Sequence, residues 1–209
     1  MSDITEREEG LAALRRSLGD EHPDTLAAML DLAEALWAEG RLSAARALEE
    51  QVVATRRRLM GEGHGDTLKA LGKLATTIGA QGDLAEARRL QEHILAHAAD
   101  AWGEDGRDTL RALNNLAGTL AAQGDLLAAR ELLETALTQM CEVFGEEDDD
   151  SLAAMSNLAA VLWQGGERDE GYWLQRQVVD TQRRVRGDGD REARAALAAL
   201  ETMQKESPF

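Results

Sequence analysis

The sequence holds one cysteine, Cys141, so no disulfide can close within the chain. A reducing compartment fits that usage. No apolar run approaches the ~18 residues that suggest a membrane-spanning helix. The opening MSDITEREEG has neither the basic start nor the apolar stretch of a signal peptide. Positive charge is scarce: 23 Lys and Arg stand against 39 Asp and Glu, a net charge of −16. That balance argues against nucleic acid and against an anionic membrane surface as partners. A Gly-rich phosphate loop, a Cys-x-x-Cys pair and an ordered Ser/His/Asp signature are all missing. The expectation is a cytoplasmic, non-catalytic protein without a cofactor or metal. For Cys141, beside Met140 and Val143, a packed or half-exposed thiol is expected.

What is present is a repeat. Cutting at Gly19, Gly61, Gly103, Gly145 and Gly187 gives four blocks of 42 residues without insertion or deletion. Stacked, they form columns. One is Leu26, Leu68, Leu110, Leu152; others are Leu32-Ala33, Leu74-Ala75, Leu116-Ala117, Leu158-Ala159, and Leu36, Ile78, Leu120, Leu162. Steps of three and four put these on one face of a helix, helix A. Gly40, Gly82, Gly124 and Gly166 close helix A. Helix B follows at once, with an Asp83-x-x-Glu86 capping pattern, leucines at 48, 90, 132 and 174, and small residues Ala45, Ala87, Ala129 and Gly171. Asp24-Thr25, Asp66-Thr67 and Asp108-Thr109 are expected to cap helix A. A helix hairpin this short cannot bury both faces, and stacked neighbours can. The fold expected is therefore all-α, an α-solenoid of stacked antiparallel helix pairs in one continuous domain. Its parts are an N-terminal capping helix at 1–18, repeats at 19–60, 61–102, 103–144 and 145–186, and a capping helix with a frayed tail at 187–209.

The pattern Thr-Leu-x-x-Leu-Asn-Asn-Leu-Ala, Gly-Asp-Leu-x-x-Ala-Arg, Leu-Leu-Glu-x-Ala-Leu in the third block resembles the tetratricopeptide repeat. The 42-residue period and the Gly-x-x-His-Pro-Asp-Thr-Leu opening at Gly19 are similar to the kinesin-light-chain subtype, which is common in bacteria. The His-Pro pair occurs only at His22-Pro23; His64-Gly65 and Gly106-Arg107 replace it later. The resemblance implies a right-handed superhelix whose concave face, lined by helices A, binds a peptide or protein segment. Carried over by column, that face holds Lys69, Lys73 and Arg111 beside Asn114, Asn115 and Asn157, with Ala153 and Ser156 in the same columns. Trp37 and Trp163 would flank it as apolar anchors. Amides can bond an extended backbone and the cations can hold a carboxylate, so an acidic or carboxylate-terminated segment is one expected ligand. Two alternatives stand beside it. One is a self-associating assembly unit. The other is a regulatory subunit that controls an enzyme or binds a small ligand.

Other clusters carry weaker expectations. Tyr172 and Trp173 stand in otherwise polar columns; they either pack against the last helix or form a second interface. His93 and His97 lie four apart on helix B, but their columns are polar throughout, so a water-exposed face is expected rather than a metal site. The run Glu146–Asp150 lacks the spacing of a calcium loop and reads as a solvated loop at a helix start. Arg56–Arg58 and Arg183-Arg184 are expected to pair with nearby carboxylates.

Overall fold

In a computed structural model, residues 3–206 are described. They form ten α-helices and, among the described residues, no strand. The helices are α1 (Asp3–Leu18), α2 (Pro23–Ala38), α3 (Leu42–Met60), α4 (Gly65–Ala80), α5 (Leu84–Trp102), α6 (Arg107–Ala122), α7 (Leu126–Phe144), α8 (Asp149–Gly165), α9 (Arg168–Arg186) and α10 (Arg191–Glu206). The end of the expected tail, 207–209, lies outside the described residues. The chain divides into two compact units, residues 1–103 and 104–209; the uninterrupted period gives no sign of this division. Within each unit every helix packs on the next, α1 to α5 in the first and α6 to α10 in the second, in the manner of an α-solenoid.

The helix ends follow a glycine rule. A glycine with positive φ stands at every twenty-first position from Gly19 to Gly187. Those after helices A close Schellman motifs: in α2 the Gly40 N–H donates to Trp37 O at 2.9 Å and the Arg41 N–H to Leu36 O at 2.9 Å. Gly166, after α8, is left-handed, with φ 94 and ψ −3. Those after helices B are different: Gly145 has φ 93 and ψ 160, a region open essentially only to glycine. Helix starts correct one expectation. The caps of helices A are His22 and His64, whose Nδ1 atoms accept from the Asp24 and Asp66 N–H groups, and Asp148, which accepts from the Asp150 N–H. The Asp-Thr pairs do not cap; Thr25 and Thr67 are buried inside the first turn. Asp83 does cap α5, accepting from the Glu86 N–H at 3.1 Å. The lost proline at Gly65 also has a reason: a Cβ there would stand 2.6 Å from Trp102 Nε1.

The helix A columns are buried as their spacing predicts, with the alanines at 33, 75, 117 and 159 fully enclosed. Helix B turns slightly from its expected register. Leu48, Leu132 and Leu174 are only half-buried. The enclosed column is the next one, Glu49, Gln91, Leu133 and Gln175. The sequence pattern steers away from it because three of its four members are polar. At the α8–α9 crossing the small residue must be glycine: a Cβ on Gly171 would meet Ala159 O at 2.6 Å and Trp163 N at 2.9 Å.

Candidate functional site

The residues expected along one groove fall in both units, and each unit has a cavity lined by some of them. In the second unit a cavity of about 510 Å³ is lined from α6, α8, α9 and α10. Arg111, Ala153, Ser156 and Asn157, four of the groove-column residues, meet there with Asp149, Asp150, Gln182 and Glu192. Arg111 Nε donates to Asp150 Oδ1 at 2.7 Å, so this cation is already held by a carboxylate. Asn157 Nδ2 donates to Asn114 Oδ1 at 2.9 Å; Asn115 is exposed. Gln182 is 8% exposed, and its Oε1 has no hydrogen-bond partner.

The acidic run stands at the start of α8 with Glu146, Glu147 and Asp149 exposed, but four of its five acids are held by arginines. Arg107 reaches Asp148 at 2.8 Å and also holds Asp150. Arg184 holds Glu147 at 2.8 Å, and Arg186 pairs with Asp149 and Glu192. The hydrogen bond from Arg107 is the main cause that holds the Asp148 carboxyl below its ordinary value. Arginines from α6 and α9 thus fasten the start of α8. The Arg107 guanidinium also stacks on Phe144, 4.0 Å from the ring centre.

In the first unit a cavity of about 190 Å³ is lined by Glu34, Trp37, Glu49, Lys73, Thr76 and Thr77. Lys73 Nζ donates to Glu34 Oε2 at 2.8 Å, and this bond chiefly lowers the Glu34 pKa. Trp37 is 41% exposed, whereas Glu49 is only 3% exposed. The Thr77 hydroxyl donates to Glu49 Oε1 at 3.0 Å, and Glu49 Oε2 has no partner. Burial pushes the Glu49 carboxyl up from its ordinary value, against the opposing pull of the Thr77 bond and Lys73. Lys69 is exposed on the same helix as Lys73.

Several expectations are revised. Trp163 is not an open anchor: it is 8% exposed, packs with Met203, and its Nε1 donates to Glu206 Oε2 at 3.0 Å. The Tyr172-Trp173 pair splits. Tyr172 packs on the core beside Leu200 and Met203, and its hydroxyl accepts from Gln204 at 2.7 Å, while Trp173 is 56% exposed. His93 and His97 are half-buried rather than water-exposed, with rings 4.6 Å apart. Burial is the main cause lowering the His93 pKa. No group of three or more His, Cys, Asp or Glu among the described residues could hold a metal ion. Cys141 is half-buried, and burial raises its pKa. No described helix is long and apolar enough to cross a membrane. Arg56 donates to Asp66 O at 2.8 Å, Arg57 lies 3.5 Å from Glu62, Arg58 pairs with Glu21 and Arg183 with Asp188.

Comparison with known proteins places these features. Tetratricopeptide repeat profiles match residues 66–142 and 108–170, and a second tetratricopeptide repeat profile matches 25–66 and 151–192. No curated protein matches. Among solved structures, one similar chain is a Podosopora anserina protein assigned as a kinesin light chain with nearly identical TPR-like repeats. One form of it, a single-residue variant, is 30% identical with a TM-score of 0.69, covering 87% of this chain and 85% of that one. A second form is also 30% identical, with a TM-score of 0.67, covering 88% and 87%. BtubC (BKLC) from P. vanneervenii shares the fold at 17% identity, with a TM-score of 0.76 over 97% of this chain and 82% of that one. The repeat spacing, the helix pairs and the matched residues agree: this chain belongs to the tetratricopeptide repeat family, in its 42-residue, kinesin-light-chain-like form, a class of protein–protein interaction scaffold.

Proposed function

We propose that the chain is a non-catalytic receptor for a peptide or protein segment, held in the second unit against α6, α8 and α10. The observation that carries this reading is the 510 Å³ cavity on which Arg111, Ala153, Ser156 and Asn157 converge. The buried Gln182 Oε1 adds an acceptor without a donor. Leaving such an atom unpaired costs about 1–3 kcal/mol, which a ligand N–H would offset. The Asn114–Asn157 pair retains amide donors and acceptors beyond its one mutual bond, enough to bond a backbone in extended form. The helices supply these groups preorganised, so little ordering cost falls on the receptor. Asp150 already offsets the Arg111 charge through Nε, so a ligand carboxylate gains less at this guanidinium than at a free one. A segment of mixed charge therefore fits better than one recognised by its acids alone.

The test is a peptide-display selection on the purified protein, followed by calorimetry of the selected peptides. Ala153 is exposed on α8, so Ala153→Trp fills the cavity without entering the core. The expected result is binding by wild type and a loss of about tenfold or more in the variant, equivalent to ~1.4 kcal/mol. Equal binding by both sinks the reading. The self-association alternative has one observation in its favour, the exposed Trp173. It requires a concentration-dependent mass in sedimentation that Trp173→Arg abolishes.

A further inference from the structure

We propose that the first unit carries a receptor site for one basic side chain, a guanidinium or an ammonium, between Trp37 and Glu49. Three observations meet there. The cavity holds the head of one long side chain and is too small for a folded segment, at about 190 Å³. A carboxyl group on a residue only 3% exposed lines it, with one oxygen bonded to Thr77 and the other to nothing. A large aromatic ring lines the same space and is open to water.

The charges select the ligand. Lys73 and Glu34 line the cavity as a closed pair, each offsetting the other. Glu49 makes no ion pair of its own; Lys73, already held by Glu34, acts on it only from a distance. As a neutral acid it can turn its O–H to Thr77 Oγ1 yet leaves Oε2 bare; as a carboxylate it has a donor at Oε1 and none at Oε2. Either state is costly when buried. A cation resolves the second state directly. Its N–H groups donate to the carboxylate, and its charge balances it. The Trp37 face adds attraction from its ring quadrupole. A ligand acid gains none of this and meets Glu49 as a like charge.

In the fourth repeat the equivalent side chain is paired at both ends. Gln175, equivalent to Glu49, accepts from Ser156 at 2.9 Å and donates to Ala196 O at 2.9 Å. Leu30 stands where Ser156 stands and offers no hydroxyl. Thr77 stands where Met203 stands, so the side chain that packs on Trp163 has a short counterpart in α4. Two replacements, Leu30 and Thr77, accompany the unpartnered oxygen and the open ring.

The site lies within residues 34–77 and stands independently of the cavity at α6, α8 and α10. It is tested by titrating ¹⁵N-labelled protein with N-acetyl-arginine amide, N-acetyl-lysine amide and N-acetyl-citrulline amide, following the Trp37 indole N–H resonance. The two cations are expected to move that resonance saturably, and the neutral citrulline derivative to bind about tenfold more weakly or worse. Glu49→Gln keeps the shape and removes the charge; it is expected to weaken arginine binding about tenfold. Thr77→Met, which places the Met203 side chain over Trp37, is expected to abolish it and carries the test if Glu49→Gln does not fold. Citrulline binding as well as arginine, undiminished binding by a folded Glu49→Gln, or no saturable shift with either cation overturns the proposal. None of these outcomes bears on peptides selected at the second unit's cavity.

Discussion

Trp37 and Trp163 occupy the same position in the first and fourth repeats, yet one ring is open to solvent and the other is enclosed. The polar residues beneath them differ in the same sense. Gln175 is hydrogen-bonded at both ends of its amide, and Glu49 at one oxygen of its carboxyl. The cause lies in the helix that follows each pair. α10 brings Met203, Glu206 and the Ala196 carbonyl to the fourth repeat, whereas α4 brings Thr77 and Lys73 to the first. A repeat column thus fixes where a side chain stands. Its neighbour in the next helix decides whether that side chain is core or binding surface.

The largest effect that sharpens this contrast is in the two tryptophans. Trp163→Ala should cost about 3–5 kcal/mol in chemical denaturation, as truncating a buried aromatic usually does. Trp37→Ala should stay within about 0.5–1 kcal/mol, as exposed substitutions do. Equal costs would break the comparison. Next is Gly171→Ala, which forces a Cβ against the Ala159 carbonyl. It should lose about 1–3 kcal/mol by overpacking, while Ala129→Gly, at the same position of the third repeat, should lose about 1 kcal/mol or less. The two kinds of helix-ending glycine give a smaller difference. Gly166→Asn places a tolerant residue in a left-handed position, and Gly145→Asn places it where only glycine fits. The second should be less stable than the first by about 1–2 kcal/mol.

The smallest effect is a pH dependence. The Glu49 carboxyl titrates above its ordinary value when folded. Its contribution to stability is therefore fully present below the unfolded pKa and is lost as pH rises through the folded one. Glu49→Gln removes that loss. The variant's stability relative to wild type should rise between acid and neutral pH, and a flat difference across that range would contradict the burial of this acid. Asp148 runs the other way: its lowered pKa gives stability that is present above the unfolded value and fades as pH falls through the folded one.

Much of this was legible in the residues themselves. A period of 42 without a gap placed the helices, because glycine ends each from α1 to α9 and leucine or alanine fills most inner columns. The site was legible only in part. Arg111, Ala153, Ser156 and Asn157 were assigned by column and do line one cavity. Glu49 was missed because an acid reads by type as a surface residue; the signal against that was its place four after Ala45 and three before Val52, both enclosed. The capping role of His22 and His64 was missed because histidine is an uncommon cap, although both precede Asp-Thr by the same step. The arginine partners of the acidic run lie some forty residues away, and a single sequence does not announce such pairs.

The measurement that tests the central claim most directly is a chemical-shift map of a selected peptide bound to the ¹⁵N-labelled protein, read at the side-chain N–H groups. The account predicts that the Asn114, Asn115 and Asn157 amides and the Arg111 Nε–H move, while the Trp173 indole stays in place. Movement of Trp173 with those amides unchanged would place the interface on α9 and contradict it.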